Sequence, residues 1–212
     1  MSEVEKRVAA EAAAELVEDG MTVGLGTGST VAYLLPALAR RGLDILCVAT
    51  SLATESGAAA LGLRLEPFSG LARLDLAIDG ADQVAPDRRL VKGGGAAHTR
   101  EKIVAAAAER FVVIVSSEKL VDAIRAPIPL ELLAYGVDAT LQALGEVRLR
   151  DVPPSPDGGL IADYLGAVDD PAALAAQLAA TPGVVEHGLF EPELVAEVLV
   201  GRGKSIERLA PR

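Results

Sequence analysis

The segment Met21-Thr22-Val23-Gly24-Leu25-Gly26-Thr27-Gly28-Ser29-Thr30 joins a short apolar run to a glycine-rich turn. The apolar part predicts a buried strand over 21–25, and a helix is expected over 30–41, directly after the turn. Glycines let the backbone turn tightly and point successive N–H groups at an anion, and the helix N-terminus adds partial positive charge. The candidates for binding a phosphate group are therefore Gly26, Thr27, Gly28, Ser29 and Thr30.

The turn differs from two well-known nucleotide-binding loops. It lacks the Gly-Lys-Ser or Gly-Lys-Thr ending of a P-loop, and Ser29 occupies the place of the third glycine of the dinucleotide-binding pattern. A tight structural turn without a ligand therefore remains an alternative for this loop taken alone.

The rest of the N-terminal half alternates between strand and helix patterns. A first helix opens with the capping-box residues Ser2 and Glu5, and the later elements are strands over 44–49, 74–78 and 111–115 and helices over 51–61 and 99–110. Strands that alternate with helices predict an α/β fold, a Rossmann-like parallel sheet with helices on both faces. Ligands of such sheets bind beyond the carboxyl ends of the strands, where 26–30 and 79–82 are both expected.

The pattern changes from residue 127 onward. The expected order is strand, helix, strand, strand, helix, strand, over 128–133, 137–144, 147–149, 160–165, 171–180 and 184–189. This βαββαβ order is typical of the ferredoxin-like α+β fold. We therefore expect a Rossmann-like catalytic domain over 1–126, with the tail 201–212 as a candidate for rejoining it, and a smaller ferredoxin-like lid or oligomerisation domain over 127–200.

The composition narrows the class of partner. The 212 residues carry 20 Lys and Arg against 30 Asp and Glu, a formal net charge of −10, which repels nucleic acid and anionic membranes at long range. Aromatic residues make up only 3%, so stacking platforms for single-stranded nucleic acid are poorly supplied. The start of the chain is charged, and no apolar run approaches the ~20 residues that span a bilayer. We expect a cytoplasmic protein whose partner is a small molecule.

The single cysteine and the two histidines give no sign of a metal or disulfide site. Cys47 excludes an intramolecular disulfide and is expected as a small buried residue. His98 and His187 lack metal-type spacing with each other or with Cys47, and both are expected at the surface or as caps.

A second glycine-rich and acidic segment follows the strand expected over 74–78. Asp79 and Asp82 flank Gly80 and Ala81. Two close carboxylates can bind Mg²⁺ or share a proton, but Asp after a strand more often caps a turn, and capping is favoured for this pair taken alone.

The same segment continues with a lysine, three glycines and a glutamate. Lys92-Gly93-Gly94-Gly95 forms either a flexible surface loop or a close backbone approach to a ligand, and the neighbouring lysine favours the ligand. Glu101 lies in the first turn of the helix expected from Thr99. A first-turn Glu ordinarily complements the helix dipole, which is the interpretation that spacing alone favours.

Taken together, these stretches resemble the A-type family of ribose-5-phosphate isomerases. Four segments carry the resemblance: 24–30, 79–82, 92–103 and 116–119. Weaker similarities involve residues 50–54, 127–130 and 182–190. The similarity runs in the same order over nearly the whole chain, and its most specific part is 92–103, which reads KGGGAAHTREKI.

The resemblance implies an enzyme of the non-oxidative pentose phosphate pathway that interconverts D-ribose 5-phosphate and D-ribulose 5-phosphate, with no metal and no organic cofactor. It implies that Glu101 is the base that moves a proton between C2 and C1. Asp79 would assist ring opening, with Asp82 nearby, and Lys92 and the backbone of 93–95 would face the enediolate.

The resemblance also implies the substrate contacts and the assembly. The turn after the first strand would bind substrate, Lys119 would help to hold it, and Lys6 is a candidate for contacting the phosphate. The family assembly is a homodimer or a dimer of dimers, that is, a homotetramer. His98 departs from the leucine common in relatives, which should alter the wall of the pocket more than the chemistry.

Three other interpretations stay in view. A metal-assisted hydride shift needs carboxylates and histidines around an ion, for which two histidines are a poor supply. A sugar-phosphate sensor would not require Glu101, and it normally carries a DNA-binding module for which this chain has no spare length. A coenzyme A transferase-like enzyme would need an acyl-accepting glutamate in a different motif and a longer chain.

Overall fold

The computed structural model describes residues 2–210, and their contacts divide the chain into two compact units. The larger unit consists of 2–81, 100–120 and 193–210, and the smaller unit of 82–99 and 121–192. In chain order the elements are α1 (Ser2–Ala14), β1 (Thr22–Leu25), α2 (Val31–Arg41), β2 (Leu46–Ala49), α3 (Leu52–Ala60), β3 (Arg64–Leu65), β4 (Leu74–Asp79), β5 (Gln83–Val84), β6 (Leu90–Val91), α4 (His98–Ala107), β7 (Ala108–Ser116), β8 (Ile128–Leu132), α5 (Val137–Leu144), β9 (Val147–Leu149), β10 (Leu160–Tyr164), α6 (Pro171–Ala180), β11 (Val184–His187), β12 (Leu189–Phe190), β13 (Glu197–Arg202) and β14 (Ser205–Leu209).

The larger unit is built on a seven-stranded sheet in the order β14-β13-β7-β4-β1-β2-β3. Neighbouring strands are parallel except for the antiparallel pair β13–β14. The chain therefore winds from β1 through β2 and β3 to one edge, and from β4 through β7 and β13 towards the other. This is the doubly wound, Rossmann-like topology that the alternating pattern predicts, and β1 and β4 are the strands at which the winding reverses.

Helices cover both faces of this sheet. Val23 and Leu25 of β1 point into an apolar core shared with α1 and α2. Gly24, between them, points to the opposite face, because side chains alternate along a strand. A Cβ built on Gly24 would lie 2.4 Å from Cγ1 of Val104, so α4 packs directly on the backbone of β1.

The smaller unit contains a four-stranded antiparallel sheet in the order β11-β8-β10-β9, with α5 and α6 as its helices, which is the ferredoxin-like fold. Ile128, Leu130 and Leu132 of β8 share an apolar core with side chains of α5 and α6. Pro129 and Glu131 point to the other face and are buried as well. A further sheet, β12-β6-β5, completes this unit.

The two units differ from the domain boundaries expected at 126/127 and 200/201. Residues 82–99 belong to the smaller unit, where β6 pairs with both β5 and β12. β13 belongs to the larger unit because it pairs in parallel with β7, and β14 of the tail pairs with β13. Pairing between strands far apart in sequence therefore decides the division.

Two expected elements end elsewhere. The helix expected over 99–110 stops at Ala107, because Ala108 already pairs with Leu74 of β4. The strand expected over 184–189 is two strands in different sheets, β11 and β12, with Gly188 between them. A Cβ on Gly188 would lie 2.1 Å from the carbonyl oxygen of Lys92, so only glycine fits at this crossing.

The expected capping box between Ser2 and Glu5 does not form. The Glu5 carboxylate instead accepts hydrogen bonds from the N–H (3.0 Å) and hydroxyl (2.8 Å) of Ser117 and from the N–H of Gly203 (2.9 Å). The hydrogen bond from Gly203 has the largest effect on the pKa of Glu5. Together the three bonds lower that pKa below its ordinary 4.5. The first helix is thus tied to two distant parts of the larger unit.

Candidate active site

The turn after β1 and the acid at the end of β4 are bound to each other in the larger unit. Asp79 is 3% exposed, and its Oδ1 atom accepts hydrogen bonds from the backbone N–H groups of Thr27 (3.0 Å) and Gly80 (2.7 Å). A Cβ on Gly26 would lie 1.9 Å from Cγ of Asp79, so glycine is required for this approach. Both segments lie at the carboxyl ends of the two strands where the winding reverses, the place at which doubly wound sheets bind ligands.

Two threonines support this turn, and their part in it was not foreseen from the sequence. The hydroxyl of Thr54 donates to the carbonyl oxygen of Gly26 (2.7 Å). The hydroxyls of Thr50 and Thr27 lie 2.8 Å apart. Thr54 lies in the first turn of α3, whose N-cap Ser51 accepts from its N–H. Thr50 and Thr54 lie in a stretch of weak family similarity, and the groups that they bond lie 23 and 28 residues away in sequence.

The outer part of the turn is open to solvent. Gly28 and Ser29 are exposed, while Thr27 and Thr30 are partly buried. Gly28 has φ +115°, a backbone conformation that residues other than glycine rarely adopt. The backbone therefore reaches the start of α2 with its outermost residues accessible to a ligand.

Glu101 is buried at the sheet-facing side of α4, with 5% of its surface exposed. It lies one turn before Val104, whose side chain packs on Gly24, and residues three apart share a helix face. Because α4 leads from the carboxyl end of β4 back to the start of β7, its first turn lies at the carboxyl edge of the sheet. Glu101 thus has the first-turn position expected for it, and its burial keeps the carboxylate away from bulk water.

The smaller unit holds the other candidate residues. Asp82 accepts a hydrogen bond from the N–H of Gly94 at 2.7 Å. Lys92 is 2% exposed, and its ammonium group lies 5.5 Å from the centre of the Phe190 ring. A lysine this buried, over an aromatic face, is held in one place rather than solvated. Gly94 and Gly95 are exposed.

The remaining candidates have mixed surroundings. His98 and His187 are 0% and 7% exposed, so of the surface and capping roles expected for them the surface role is wrong. His98 packs against the backbone of Gly93. Lys119 is partly buried in the short 3₁₀ turn 117–119. Lys6 lies on α1, 2.9 Å from the carboxylate of Glu3.

Residues 2–210 offer neither a metal site nor a membrane-spanning helix. They contain no cluster of three or more His, Cys, Asp or Glu side chains placed to hold a metal ion. None of their helices is both long and apolar enough to cross a membrane. Cys47 is buried as expected, and burial raises the pKa of its thiol to about 11.

The larger unit defines a class of protein: a doubly wound α/β protein with a glycine turn and the buried Asp79 at the strand ends where its winding reverses, and a second buried carboxylate, Glu101, in the first turn of α4. The model of the family "Ribose 5-phosphate isomerase A (phosphoriboisomerase A)" matches residues 46–205. The chain belongs to this family, and the resemblance inferred from the sequence is confirmed.

Individual relatives agree with the family match. Ribose-5-phosphate isomerase A of Caulobacter vibrioides (strain NA1000 / CB15N) is 46% identical over 223 residues, which cover 98% of each chain. The crystal structure of ribose 5-phosphate isomerase A from Neisseria gonorrhoeae has a TM-score of 0.94 at 31% identity, covering 100% of this chain and 98% of that one. A D-ribose-5-phosphate isomerase in complex with phospho-erythronic acid has a TM-score of 0.93 at 34% identity, covering 100% of both chains.

A second family model matches a shorter part of the chain. The DeoR C-terminal sensor domain matches residues 2–60. This stretch includes the turn after β1 but not Asp79, Lys92 or Glu101. It corresponds to the elements from α1 to α3 of the larger unit.

Proposed function

We propose that the protein interconverts D-ribose 5-phosphate and D-ribulose 5-phosphate by proton transfer through a cis-enediol, with Glu101 as the base. The observation that carries the proposal is the buried carboxylate of Glu101 on the sheet-facing side of α4, in a chain of this isomerase family. A carboxylate shielded from bulk water is held in place to take a proton from one sugar carbon and to deliver a proton to the next.

The reaction is balanced within the substrate. In the open-chain aldose, Glu101 removes the proton of C2, the electron pair forms the C1–C2 double bond, and the carbonyl pair moves onto O1. Glu101 then delivers a proton to C1, O2 loses its hydrogen as C2=O forms, and O1 gains one. No electrons leave the sugar, so the proposal requires no redox cofactor. The negative oxygen needs positive charge or N–H donors beside it.

The other candidates take roles around this transfer. We assign Lys92 and the backbone N–H groups of 93–95 to the developing oxyanion, which a buried ammonium group stabilises without prior reorganisation. Asp79, with Gly80, Ala81 and Asp82 after it, is assigned to ring opening and to the sugar hydroxyls. The turn 26–30 and Lys119 are assigned to holding the substrate.

The assay that tests the proposal uses ribose 5-phosphate, EDTA and colorimetric detection of the ketopentose. Formation of product in EDTA would agree with proton transfer that needs no metal. A chain that binds ribose 5-phosphate but makes no product would instead fit a sensor, the function suggested by the match to residues 2–60. Loss of activity in EDTA, restored by a divalent ion, would contradict the proposed route.

We also propose that the protein is cytoplasmic and works as a homodimer or homotetramer assembled through the smaller unit. Large apolar side chains of that unit are exposed, among them Tyr135 (94%), Leu133 (53%) and Val185 (43%). Exposed apolar side chains in one region are typical of surfaces that become covered on association. Light scattering would give the mass, and a monomer at assay concentrations would contradict the assembly.

A further inference from the structure

One face of the four-stranded sheet in the smaller unit holds the glycine segment in place. Pro129 and Asp163 are directly opposite each other in the pair β8–β10, so their side chains share a face. A Cβ on Gly93 would lie 2.7 Å from Cβ of Pro129, so the Gly93 backbone lies on that face. Glu131, two residues further along β8, accepts a hydrogen bond from the hydroxyl of Thr99. The face away from α5 and α6 therefore contacts both ends of 93–99.

Arg150 links this face to the glycine segment. Its Nε and Nη2 atoms donate to the two carboxylate oxygens of Asp163 at 2.9 and 2.6 Å, a bidentate pair. Its Nη1 atom donates to the carbonyl oxygens of Gly93 (2.9 Å) and Gly94 (3.3 Å). The side chains of Arg150 and Asp163 are 18% and 12% exposed, so water screens the pair only weakly.

This contact sets the direction of two peptide groups. In a planar trans peptide the C=O and N–H groups point in opposite directions. Because the carbonyls of Gly93 and Gly94 point at Arg150, the N–H groups of Gly94 and Gly95 point away from it. The N–H of Gly94 accordingly meets Asp82 at 2.7 Å.

We propose that Arg150, held by Asp163, is a positioning residue for the isomerisation. It fixes the peptide groups between Gly93 and Gly95, so that the N–H of Gly94 holds Asp82 and the N–H of Gly95 is directed at the negative oxygen of the enediolate. The inference rests on the proposed function, in which this backbone stabilises that oxygen. Arg150 acts through the glycine backbone and contacts no reacting atom. A shift of about 1 Å in such donors can cost on the order of 10²-fold in rate.

The test compares Arg150→Met with the matched control Arg148→Met, which removes an exposed arginine from β9, two residues away. kcat and KM are measured with ribose 5-phosphate, and inhibition constants with phospho-erythronic acid and with inorganic phosphate. For Arg150→Met we expect kcat to fall about 10- to 100-fold and the inhibition constant of phospho-erythronic acid to rise by a similar factor. KM and the inhibition constant of inorganic phosphate should stay within about 3-fold of wild type, and Arg148→Met should behave as wild type.

The conservative variant adds a second measurement. Arg150→Lys keeps a charge but cannot bridge a carboxylate and two carbonyls at once, so its kcat should lie between those of Arg150→Met and wild type. If urea unfolding shows that Arg150→Met does not fold, Arg150→Lys and Asp163→Asn carry the test.

Two results would overturn the inference. One is wild-type kcat in the folded Arg150 variants, and the other is equal weakening of phospho-erythronic acid and inorganic phosphate, which indicates a merely structural role. If the wild-type protein has no activity on ribose 5-phosphate, the proposed function is refuted instead. The assay of the wild type, made before that of any variant, separates this outcome from failure of the inference about Arg150.

Discussion

The Oδ1 atom of Asp79 accepts the backbone N–H of Thr27 at 3.0 Å, across 52 residues of sequence. The acid at the end of one central strand thereby sets the shape of the turn after the neighbouring strand. The same oxygen accepts the N–H of Gly80 at 2.7 Å. Asp79 is thus a structural partner of the turn as well as the residue assigned to ring opening, and the two roles separate experimentally.

Replacement of Gly26 tests the structural role. In Gly26→Ala the new Cβ would lie 1.9 Å from Cγ of Asp79, so the carboxylate must move and lose its bonds to Thr27 and Gly80. We expect a loss of roughly 1–3 kcal/mol in the free energy of unfolding in urea, together with a large loss of kcat. Gly70→Ala is the control, since a Cβ there has nothing within 4 Å. A Gly26→Ala variant as stable and active as that control would contradict the packing described.

Replacement of Asp79 by asparagine tests the chemical role. The amide oxygen of Asp79→Asn can still accept from Thr27 and Gly80, so the urea midpoint should stay close to that of wild type. Loss of the ionisable group should lower kcat by about 10²-fold or more, as is typical when a proton-transferring group is removed. Wild-type kcat in a folded Asp79→Asn enzyme would remove Asp79 from the proton traffic.

Glu131 is expected to stabilise the smaller unit through hydrogen bonds. Its carboxylate is 2% exposed and accepts from the hydroxyls of Thr99 and Ser155. Glu131→Ala leaves both donors without this partner and should lower the free energy of unfolding by about 1–3 kcal/mol. Glu131→Gln retains one acceptor oxygen and should lose less. Glu146→Ala, at an exposed position of the same unit, is the control, and equal stability of all the variants would contradict the expected effect.

The bonds to Glu5 predict a pH dependence of stability. Because folding lowers the pKa of Glu5 below 4.5, its contribution is full above that value and is lost as the pH falls through the lower folded pKa. Glu5→Gln should therefore lower the urea midpoint at neutral pH, and the difference from wild type should shrink as the pH falls below 4.5 and through the folded pKa. The control is Glu11→Gln. Glu11 lies on α1, as Glu5 does, and its exposed carboxylate pairs with Arg40 of α2. A difference that grows on acidification would contradict this linkage.

Much of the fold could be predicted because local signals agree with it. The bounds of α5, β9 and α6 match those expected from the sequence. Gly136 and Gly145 bracket α5, and Asp170 before Pro171 gives α6 a side-chain cap and a favourable first turn. Short strands were missed: β5, β6 and β12 have two residues each, and pairing across the unit defines them rather than any periodic pattern.

The sequence indicates the residue types of the candidate site but not the side chains that hold them in place. Glycines and acids next to predicted strands indicate a ligand site, and this assignment stays a prediction; the structure shows that Asp79, Lys92 and Glu101 are buried. The contacts that hold the site are long-range: Arg150 reaches Gly93 across 57 residues. No local spacing reveals such a partner, because the antiparallel sheet, not the sequence neighbourhood, brings the two together.

The most direct test of the central claim is the isomerisation in D₂O with EDTA, comparing wild type with Glu101→Gln. Transfer of a proton by a carboxylate predicts that NMR will detect solvent deuterium at C1 of ribulose 5-phosphate formed by wild type. It also predicts that Glu101→Gln, with the urea midpoint of wild type, will lose turnover and deuterium incorporation together, by about 10²–10⁴-fold or more. Near-normal turnover of Glu101→Gln, or product formed by wild type with no deuterium and only when a metal ion is supplied, would contradict the account.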